Sequence, residues 1–368
     1  MVNIKINEKR LVQTFIKLVT IDSPSYQEEK IIKYLIRFFK DNGLKVKFQK
    51  VGSSGNIVAF LKGNREGLPL FFNAHTDTVQ PGTGIKPVIT DKLIRSDGST
   101  ILGSDDKSAI TLFLEGIRYI KQNRLKHTDI YFVLTYAEEQ GLVGAKNFDF
   151  SLLKAKYGFS FDSHGKIGTA VLSAPTHYQY TVTVKGKSAH AGIEPEKGIN
   201  AIVTGAKLIN KIKVGKIDHE TTANVGKIEG GIATNIVPEK VVFEGEVRSR
   251  NREKLKRYIK DLKSIISTFR KKYRVKIDLD LKLAYRSYDF SGTSFLVKQF
   301  RKACRAINIS PVFDKSNGGS DSNIFNQNGF QCLNVSTGMA EVHSTEEYIL
   351  IKDMVQGMKL FLSLITQW

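Results

Sequence analysis

The chain has 368 residues, of which 41% are hydrophobic and 25% are charged, as in ordinary globular proteins with room for two domains. No apolar run approaches the ~20 residues that a membrane-spanning helix needs, so we expect no membrane-embedded segment. Cys304 and Cys332 are too few for a disulfide framework, which favours a reducing cytoplasm as the location.

The net charge is +20, from 56 basic and 36 acidic residues, and many of the basic residues fall between 250 and 276. Such a density can bind nucleic acid or another polyanion. It is also typical of a solvated helix face. No nucleic-acid motif accompanies the basic stretch, and aromatic residues are not interleaved with it as a base-stacking surface requires. We therefore favour the solvated face and keep a polyanion-binding protein as an alternative.

In chain order, apolar periodicity predicts a helix over 7–19, and Ser25 with Glu28 forms a capping-box pattern that opens a second helix. Strands are predicted over 46–51 and 56–61. The nearly all-apolar run 68–74 is typical of a buried strand. Helices follow at 107–123 and, near the end of the chain, at 351–365.

Polar side chains follow each predicted buried strand at the point where it ends. They are His75 and Asp77 after 68–74, Glu138 and Glu139 after 129–136, Asp162 after 157–161, and His343 beyond 332–335. The alternation of strands and helices predicts an α/β fold with a mostly parallel sheet. Ligands gather at the carboxyl ends of strands in such sheets, so we expect these side chains to share one site.

A pair of adjacent carboxylates, Asp105 and Asp106, precedes the helix at 107–123. One interpretation is a helix N-terminus, where acidic side chains complement the helix dipole. The other is a carboxylate aimed at a cation. The pair alone does not decide between the two.

The pattern changes between 174 and 284, where strands and helices follow in the order β-α-β-β-α-β. That order predicts a ferredoxin-like α+β unit inserted into the other domain. We place the insertion at 175–284 and the discontinuous main domain at 1–174 and 285–368.

The strand-end residues form a set of nitrogen and oxygen donors suited to zinc or a related divalent ion. Asp77, two residues beyond His75 on an extended segment, can reach back and orient the imidazole. The side chains of adjacent residues such as Glu138 and Glu139 point in different directions, so one can bind metal while the other faces a substrate.

Nine short stretches, in order along nearly the whole chain, resemble the M20 family of metallopeptidases and, within it, the peptidase T-like (tripeptidase) branch. They are NAHTD (73–77), LGSDDK (102–107), AEE (137–139), FD (161–162), GKSAHAG (186–192), EPEKG (194–198), ATNIVP (233–238), GGSD (318–321) and EVH (341–343). The resemblance implies a zinc-exopeptidase catalytic domain, and it makes the inserted unit a lid and dimerisation domain.

The resemblance also implies a role for each site residue. His75 and Asp162 would hold one ion, Glu139 and His343 would hold the other, and Asp105 would bridge the two. Asp77 would position the metal-bound histidine, and Glu138 would act as the general base. Substrate contacts in the lid would come from His190, Asn235 and Arg248.

The implied activity is hydrolysis of the N-terminal amide bond of short peptides, such as tripeptides, by a cytoplasmic homodimer with two divalent ions. Zinc is the expected metal, with cobalt or manganese as alternatives. An N-acyl amino acid deacylase or carboxypeptidase is the alternative enzyme, because M20 relatives share the site and differ in the substrate pocket. Neither a membrane nor nucleic acid is expected as a partner.

Overall fold

The computed structural model describes residues 5–368, which hold the following elements. The helices are α1 (Glu8–Val19), α2 (Glu29–Asp41), α3 (Ser104–Gln122), α4 (Val143–Lys146), α5 (Ala201–Ile209), α6 (Arg252–Tyr273), α7 (Phe295–Ala306), α8 (Asp321–Gln327) and α9 (Ile351–Gln367). The strands are β1 (Lys45–Val51), β2 (Ser54–Leu61), β3 (Leu70–His75), β4 (Val88–Ile89), β5 (Leu93–Arg95), β6 (Ile130–Thr135), β7 (Tyr157–Ser163), β8 (Thr169–Ala174), β9 (Thr176–Lys185), β10 (Gly215–Lys216), β11 (Thr221–Gly230), β12 (Lys240–Ser249), β13 (Lys276–Tyr285), β14 (Tyr288–Asp289), β15 (Val312–Lys315), β16 (Gln331–Ser336), β17 (Met339–Ala340) and β18 (Tyr348–Leu350).

The described chain divides into two compact units. The first contains the residues up to Leu172, Asp289–Lys315 and Ser320–Trp368, and the second contains Ser173–Tyr288 and Ser316–Gly319. The predicted insertion, 175–284, falls within the second unit. Its role as a lid and dimerisation domain stays a prediction.

The main sheet of the first unit has the strand order β1-β2-β6-β3-β7-β16-β8, with β15 also paired to β8. Its central strands β6, β3, β7 and β16 are parallel. Antiparallel pairs flank this centre at β1–β2, β2–β6 and β16–β8. The predicted α/β class with a mostly parallel catalytic sheet is confirmed.

Strand β3 lies at the middle of the sheet, and all six of its residues are buried. Successive side chains of a strand point to opposite faces. Phe72 accordingly packs on the face covered by α9, with its ring centroid 4.6 Å from that of Phe361. Phe71 packs on the other side, 5.1 Å from Phe325 in α8. Burial on both faces explains why the sequence of this strand is a continuous apolar run.

The second unit is an antiparallel sheet of order β10-β11-β12-β9-β13. Apart from the two-residue β10, the chain order is β9-α5-β11-β12-α6-β13, and the first and last of these strands lie side by side. This is the predicted ferredoxin-like arrangement, and it is confirmed. Inward residues of both helices and of the sheet, such as Leu208, Leu262 and Phe243, form its core.

The capping box predicted at Ser25 and Glu28 is wrong. Glu28 does stand at the N-cap of α2, but its side chain makes no capping hydrogen bond there. The Glu28 carboxylate instead accepts from Ser54 Oγ and from the backbone N–H of Ala137. Ser25 Oγ donates to Asp77, 2.7 Å away. Both side chains are therefore engaged with other segments of the first unit and not with their own helix.

Among the described helices, none combines the length and the apolar character needed to cross a membrane. Cys304 and Cys332 are both buried, and neither forms a disulfide.

Candidate metal centre

The parallel register of β3 and β6 brings two of the predicted segments to one level of the sheet. His75, the last residue of β3, lies opposite Thr135, the last residue of β6. The N–H of Thr76 then donates to the Thr135 carbonyl over 2.8 Å. Asp77, two residues beyond β3, and Glu138, three residues beyond β6, consequently lie side by side.

Asp77 connects these two strand ends through its buried carboxylate. Oδ1 accepts from the Glu138 N–H over 2.9 Å, and Oδ2 accepts from the Glu139 N–H over 3.3 Å. Oδ1 also lies 3.3 Å from His75 Nδ1, whose nearer partner is the backbone carbonyl of Asp77 at 3.0 Å. After the cost of burial, these partners and Ser25 lower the pKa of Asp77, so the carboxylate is held ionised beside the imidazole. Asp77 is therefore placed beside His75, and its predicted role in orienting the imidazole stays a prediction.

Asp105 lies between two histidines. Its Oδ1 is 3.0 Å from His75 Nε2, and its Oδ2 is 3.3 Å from His343 Nε2. Asp105 belongs to the first turn of α3 but has φ −82° and ψ 106°, which are not helical values. The peptide bond between Asp105 and Asp106 is cis. The regular helix begins after this pair, so the carboxylate of Asp105 projects from an irregular turn.

Glu139 completes a row of contacting side chains, because its Oε1 lies 2.7 Å from the same His343 Nε2. The row consists of His75, Asp105, His343 and Glu139. One donor atom each from His75, Asp105 and Glu139 lies within 4.8 Å of the other two. His343 is carried by the loop after β17 and is the most open member of the row, with 49% of its side chain exposed. Four of the five predicted metal ligands therefore contact one another in sequence: His75, Asp105, His343 and Glu139.

Asp162, the fifth predicted ligand, lies in β7 near its carboxyl end. Its backbone is fixed by Asn334 of β16, which donates to the Asp162 carbonyl over 2.7 Å and accepts from the Asp162 N–H over 3.1 Å. Burial and then the neighbouring carboxylate of Asp105 raise the pKa of Asp162 well above its ordinary value. Asp162 therefore lies close enough to Asp105 for the two carboxylates to repel each other when both are ionised.

Glu138 also lies near these carboxylates, so the buried site has more acidic than basic side chains. Its pKa is raised well above the ordinary value, first by burial and then by the carboxylate of Asp162. Buried carboxylates that oppose one another's ionisation are relieved by a cation placed between them. The converging imidazole and carboxylate donors, together with this charge excess, fit divalent metal ions of the zinc type.

Asp106 has a different environment from Asp105. Its Oδ2 accepts from the backbone N–H of His75 over 3.2 Å, and its Oδ1 is buried without a hydrogen bond to the described residues. Burial raises its pKa well above the ordinary value. Asp106 therefore contacts the backbone of a ligand, whereas Asp105 contacts two imidazoles.

The three predicted substrate-binding residues lie in the second unit. His190 and Asn235 are both exposed and sit on adjacent backbone segments, since the Ala191 N–H donates to the Asn235 carbonyl over 2.9 Å. The Arg248 guanidinium is paired with Glu246 through contacts of 2.9 and 3.0 Å. The substrate roles of all three stay predictions.

Asp321 ends the GGSD stretch (318–321), and its side chain is 1% exposed. Its Oδ2 accepts from Thr135 Oγ1 in β6 and, over 3.4 Å, from Asn73 Nδ2 in β3. Burial raises the pKa of Asp321 to about 6. Asp321 thus ties the ends of the two strands that carry the site, a function that the glycine-rich motif around it did not indicate.

Comparison with known proteins supports the sequence resemblance. Residues 176–274 match the peptidase dimerisation domain of the M20 family. The chain is 36% identical over 367 residues to the uncharacterized protein YqjE of Bacillus subtilis, covering 98% of this chain and 99% of that one.

Two solved structures are similar over almost their whole length. Aminopeptidase PepT from Bacillus cereus is 38% identical with a TM-score of 0.89, covering 98% of this chain and 99% of that one. A tripeptidase from Staphylococcus aureus is 35% identical with a TM-score of 0.93, covering 98% of each chain. The chain therefore belongs to the M20 family of metallopeptidases, in its peptidase T-like branch, and is a hydrolase of the metallo-aminopeptidase class.

Proposed function

We propose that this protein removes the N-terminal residue from short peptides, tripeptides in particular, at a centre that holds two divalent ions. The observation that carries the proposal is the position of Asp105. Its two carboxylate oxygens face one histidine each, with Oδ1 3.0 Å from His75 Nε2 and Oδ2 3.3 Å from His343 Nε2. Because each oxygen of this carboxylate faces a different histidine, Asp105 could share one ion with each of them.

We assign His75 and Asp162 to one ion, Glu139 and His343 to the other, and Asp105 to both. Imidazole and carboxylate donors suit zinc, and cobalt or manganese can occupy the same donor set. When bound, the pair of ions supplies Lewis acidity and a water that is nucleophilic near neutral pH. Asp77 holds the imidazole of His75 in position for this role, as carboxylate partners of ligating histidines commonly do.

We assign Glu138 as the general base. A carboxylate that takes a proton from the attacking water can return it to the departing amine, which completes amide hydrolysis without another acid. The backbone N–H of Glu138 is held by Asp77, 2.9 Å away, so the base and the orienting carboxylate are fixed to each other. Burial and the neighbouring carboxylate of Asp162 raise the pKa of Glu138, so its ionised form would be a stronger proton acceptor than an ordinary glutamate.

The substrate assignment rests on the two solved relatives, whose names give an aminopeptidase and a tripeptidase. Such enzymes need a free amino group on the substrate. In the second unit, His190 is proposed to reach the substrate carbonyl, and Asn235 and Arg248 are proposed to contact its backbone or carboxylate end. Arg248 is available for this only in competition with Glu246, its present partner.

The test is a peptide panel with enzyme reconstituted with zinc, in which chain length and N-terminal blocking are varied independently. We expect turnover of free-amine tripeptides, none of N-acylated ones, and abolition by a chelator. Turnover confined to N-blocked substrates would instead identify an N-acyl amino acid deacylase. Glu138→Ala should retain both ions and lose hydrolysis, so full turnover by that variant would refute the role of Glu138.

We further propose that the protein is a homodimer through the second unit, because residues 176–274 match a peptidase dimerisation domain. Light scattering coupled to size exclusion, at the concentrations used for activity, should give the mass of two chains. A monomer that is fully active would overturn this assignment. The expected location, the cytoplasm, stays a prediction from the small number of cysteines.

A further inference from the structure

The carboxylate of Glu347 is not among the proposed metal ligands, but it accepts an unusually large number of hydrogen bonds. Glu347 is fully buried, and its two oxygens accept from four consecutive backbone N–H groups, those of residues 102–105 at the start of α3. The donors to Oε2 are Leu102 at 2.7 Å and Gly103 at 2.8 Å, and those to Oε1 are Ser104 at 2.8 Å and Asp105 at 3.2 Å. The Ser104 hydroxyl also donates to Oε1, over 2.5 Å.

This carboxylate lies at the start of α3, on the irregular turn that precedes the regular part of the helix. The first N–H groups of a helix have no intrahelical acceptor, and the helix dipole favours an anion there. The nominal N-cap, Gly103, has no side chain to fill the position and has φ +73°, a conformation that suits glycine. Glu347 supplies the missing cap from 243 residues further along the chain.

The backbone of Glu347 is held equally firmly. Its carbonyl accepts from the Ser96 N–H over 3.0 Å, and the next residue begins β18, where Tyr348 pairs with Arg95 of β5. Glu347 is therefore anchored on its own side by a small sheet, and its side chain then holds a different segment in place.

Both segments joined in this way carry proposed metal ligands. Asp105 donates its own N–H to Glu347, while His343 lies four residues before Glu347 in the same loop. The 3.3 Å separation of Asp105 Oδ2 and His343 Nε2 thus depends on a carboxylate that touches neither atom.

We propose that Glu347 is a positioning residue of the metal centre, which sets Asp105 against His343 so that one carboxylate can serve two ions. This inference rests on the proposed two-ion function. Residues that orient metal ligands typically change metal affinity 10- to 100-fold when replaced, although they do not contact the ion.

The test compares full-length wild-type protein with Glu347→Gln after removal of metal by a chelator. Gln keeps the size of the side chain but presents an amide NH₂ to N–H donors that require an oxygen. We expect zinc affinity, measured by competition with a chromogenic chelator, to fall about 10- to 100-fold. The visible spectrum of the cobalt-substituted protein should change as well, because it reports the coordination of the ion.

Two control variants separate positioning from simple stabilisation. Glu346→Gln changes the neighbouring carboxylate, which is exposed, and should bind zinc like the wild type. Glu115→Gln changes a buried carboxylate of the same helix, which accepts from Arg10 at 2.6 Å and Thr14 at 2.7 Å. That variant should unfold at lower urea concentration and still have wild-type zinc affinity and a wild-type cobalt spectrum.

Wild-type zinc affinity and cobalt spectrum in Glu347→Gln would overturn the proposal, whether or not the variant is less stable. If Glu347→Gln does not fold, Ser104→Ala replaces it, since that change removes one hydroxyl donor and leaves the carboxylate. A folded Ser104→Ala protein should bind zinc several-fold more weakly, and unchanged affinity would overturn the proposal. If the wild type itself does not bind two ions, the proposed two-ion function is refuted, and this inference falls with it.

Discussion

The two ends of the candidate metal centre are built differently. His75 ends a central strand, its side chain is 2% exposed, and its two ring nitrogens face carboxylates of Asp77 and Asp105 at 3.3 and 3.0 Å. His343 lies on a loop with φ +62°, and 49% of its side chain is exposed. Its contacts with Asp105 and Glu139 are both made through Nε2.

This difference indicates that the sheet fixes one end of the centre and a loop fixes the other. The His75 end inherits the rigidity of β3, whose neighbours on both sides are parallel strands. The His343 end depends on side-chain contacts with other segments, including the one that Glu347 makes. We therefore expect the two proposed ion sites to differ in stability, in affinity and in their response to mutation.

The largest effect should come from His75→Ala. It removes the imidazole between Asp77 and Asp105 and leaves two carboxylates in a buried site without their partner. Removing one member of a buried charged pair costs about 3–5 kcal/mol, so the metal-free variant should lose unfolding free energy of that order. Urea unfolding measures it, with His219→Ala, whose side chain is 78% exposed, as the control. A loss below 1 kcal/mol would contradict a rigid His75 end.

Asp77→Asn should have the next largest effect. The amide cannot accept from Glu138 N–H, Glu139 N–H and Ser25 Oγ and also face His75. Only the Asp77 backbone carbonyl would then hold His75 Nδ1, so the orientation of that imidazole should relax. We expect zinc affinity to fall about 10- to 100-fold. Chelator competition measures this, and Asp97→Asn, in an exposed turn, is the matched control. Equal affinity in the two variants would show that Asp77 does not orient His75.

Stepwise removal of metal should reveal a smaller difference between the two ends. Titrating the loaded protein with a weak chelator should release one ion before the other, with affinities at least about tenfold apart, the low end of what a missing orienting partner costs. We expect the ion nearer to the exposed His343 to leave first. Release of both ions in a single step of equal affinity would remove the distinction.

The smallest effect on stability should come from His343→Ala. Because the side chain is half exposed and on a loop, solvent screens its ion pairs with Asp105 and Glu139, and we expect the unfolding free energy of the metal-free protein to fall by about 1 kcal/mol or less. The same variant should bind fewer ions and lose turnover. A stability loss as large as that of His75→Ala would mean that the two ends are equally structural.

The part of the fold that the sequence predicted well is the part set by local apolar pattern. The run that forms β3 is buried on both faces, so nearly every residue in it is apolar and the strand is evident. Because parallel strands end at a common edge, locating the strands also located His75, Asp77, Glu138 and Asp162 together. The ferredoxin-like unit was predicted from the order of its strands and helices, β-α-β-β-α-β.

The parts that were missed depend on contacts between distant segments. Ser25 and Glu28 have the spacing of a capping box, but the structure directs them to Asp77 and Ala137. Local spacing was compatible with both outcomes, and only the neighbourhood of the site decided between them. A polar pattern that suits a helix end is thus weak evidence when a buried site lies nearby.

The pair Asp105 and Asp106 illustrates the same point. An acidic pair before a helix suggests that it complements the helix dipole, but the anion at the start of α3 is Glu347, which lies 242 residues beyond Asp105 in sequence. Supplying the cap from elsewhere leaves Asp105 free to face two histidines. No periodicity in the sequence connects Glu347 with that turn.

The most direct test of a shared carboxylate is the metal content of wild-type protein and Asp105→Asn, prepared identically with excess zinc and measured by elemental analysis. We predict two ions per chain in the wild type and close to none in Asp105→Asn, because both proposed ion sites use this side chain. Asp106→Asn serves as the neighbouring control and should retain metal. One full ion per chain in folded Asp105→Asn protein would contradict the assignment of Asp105 as the bridge.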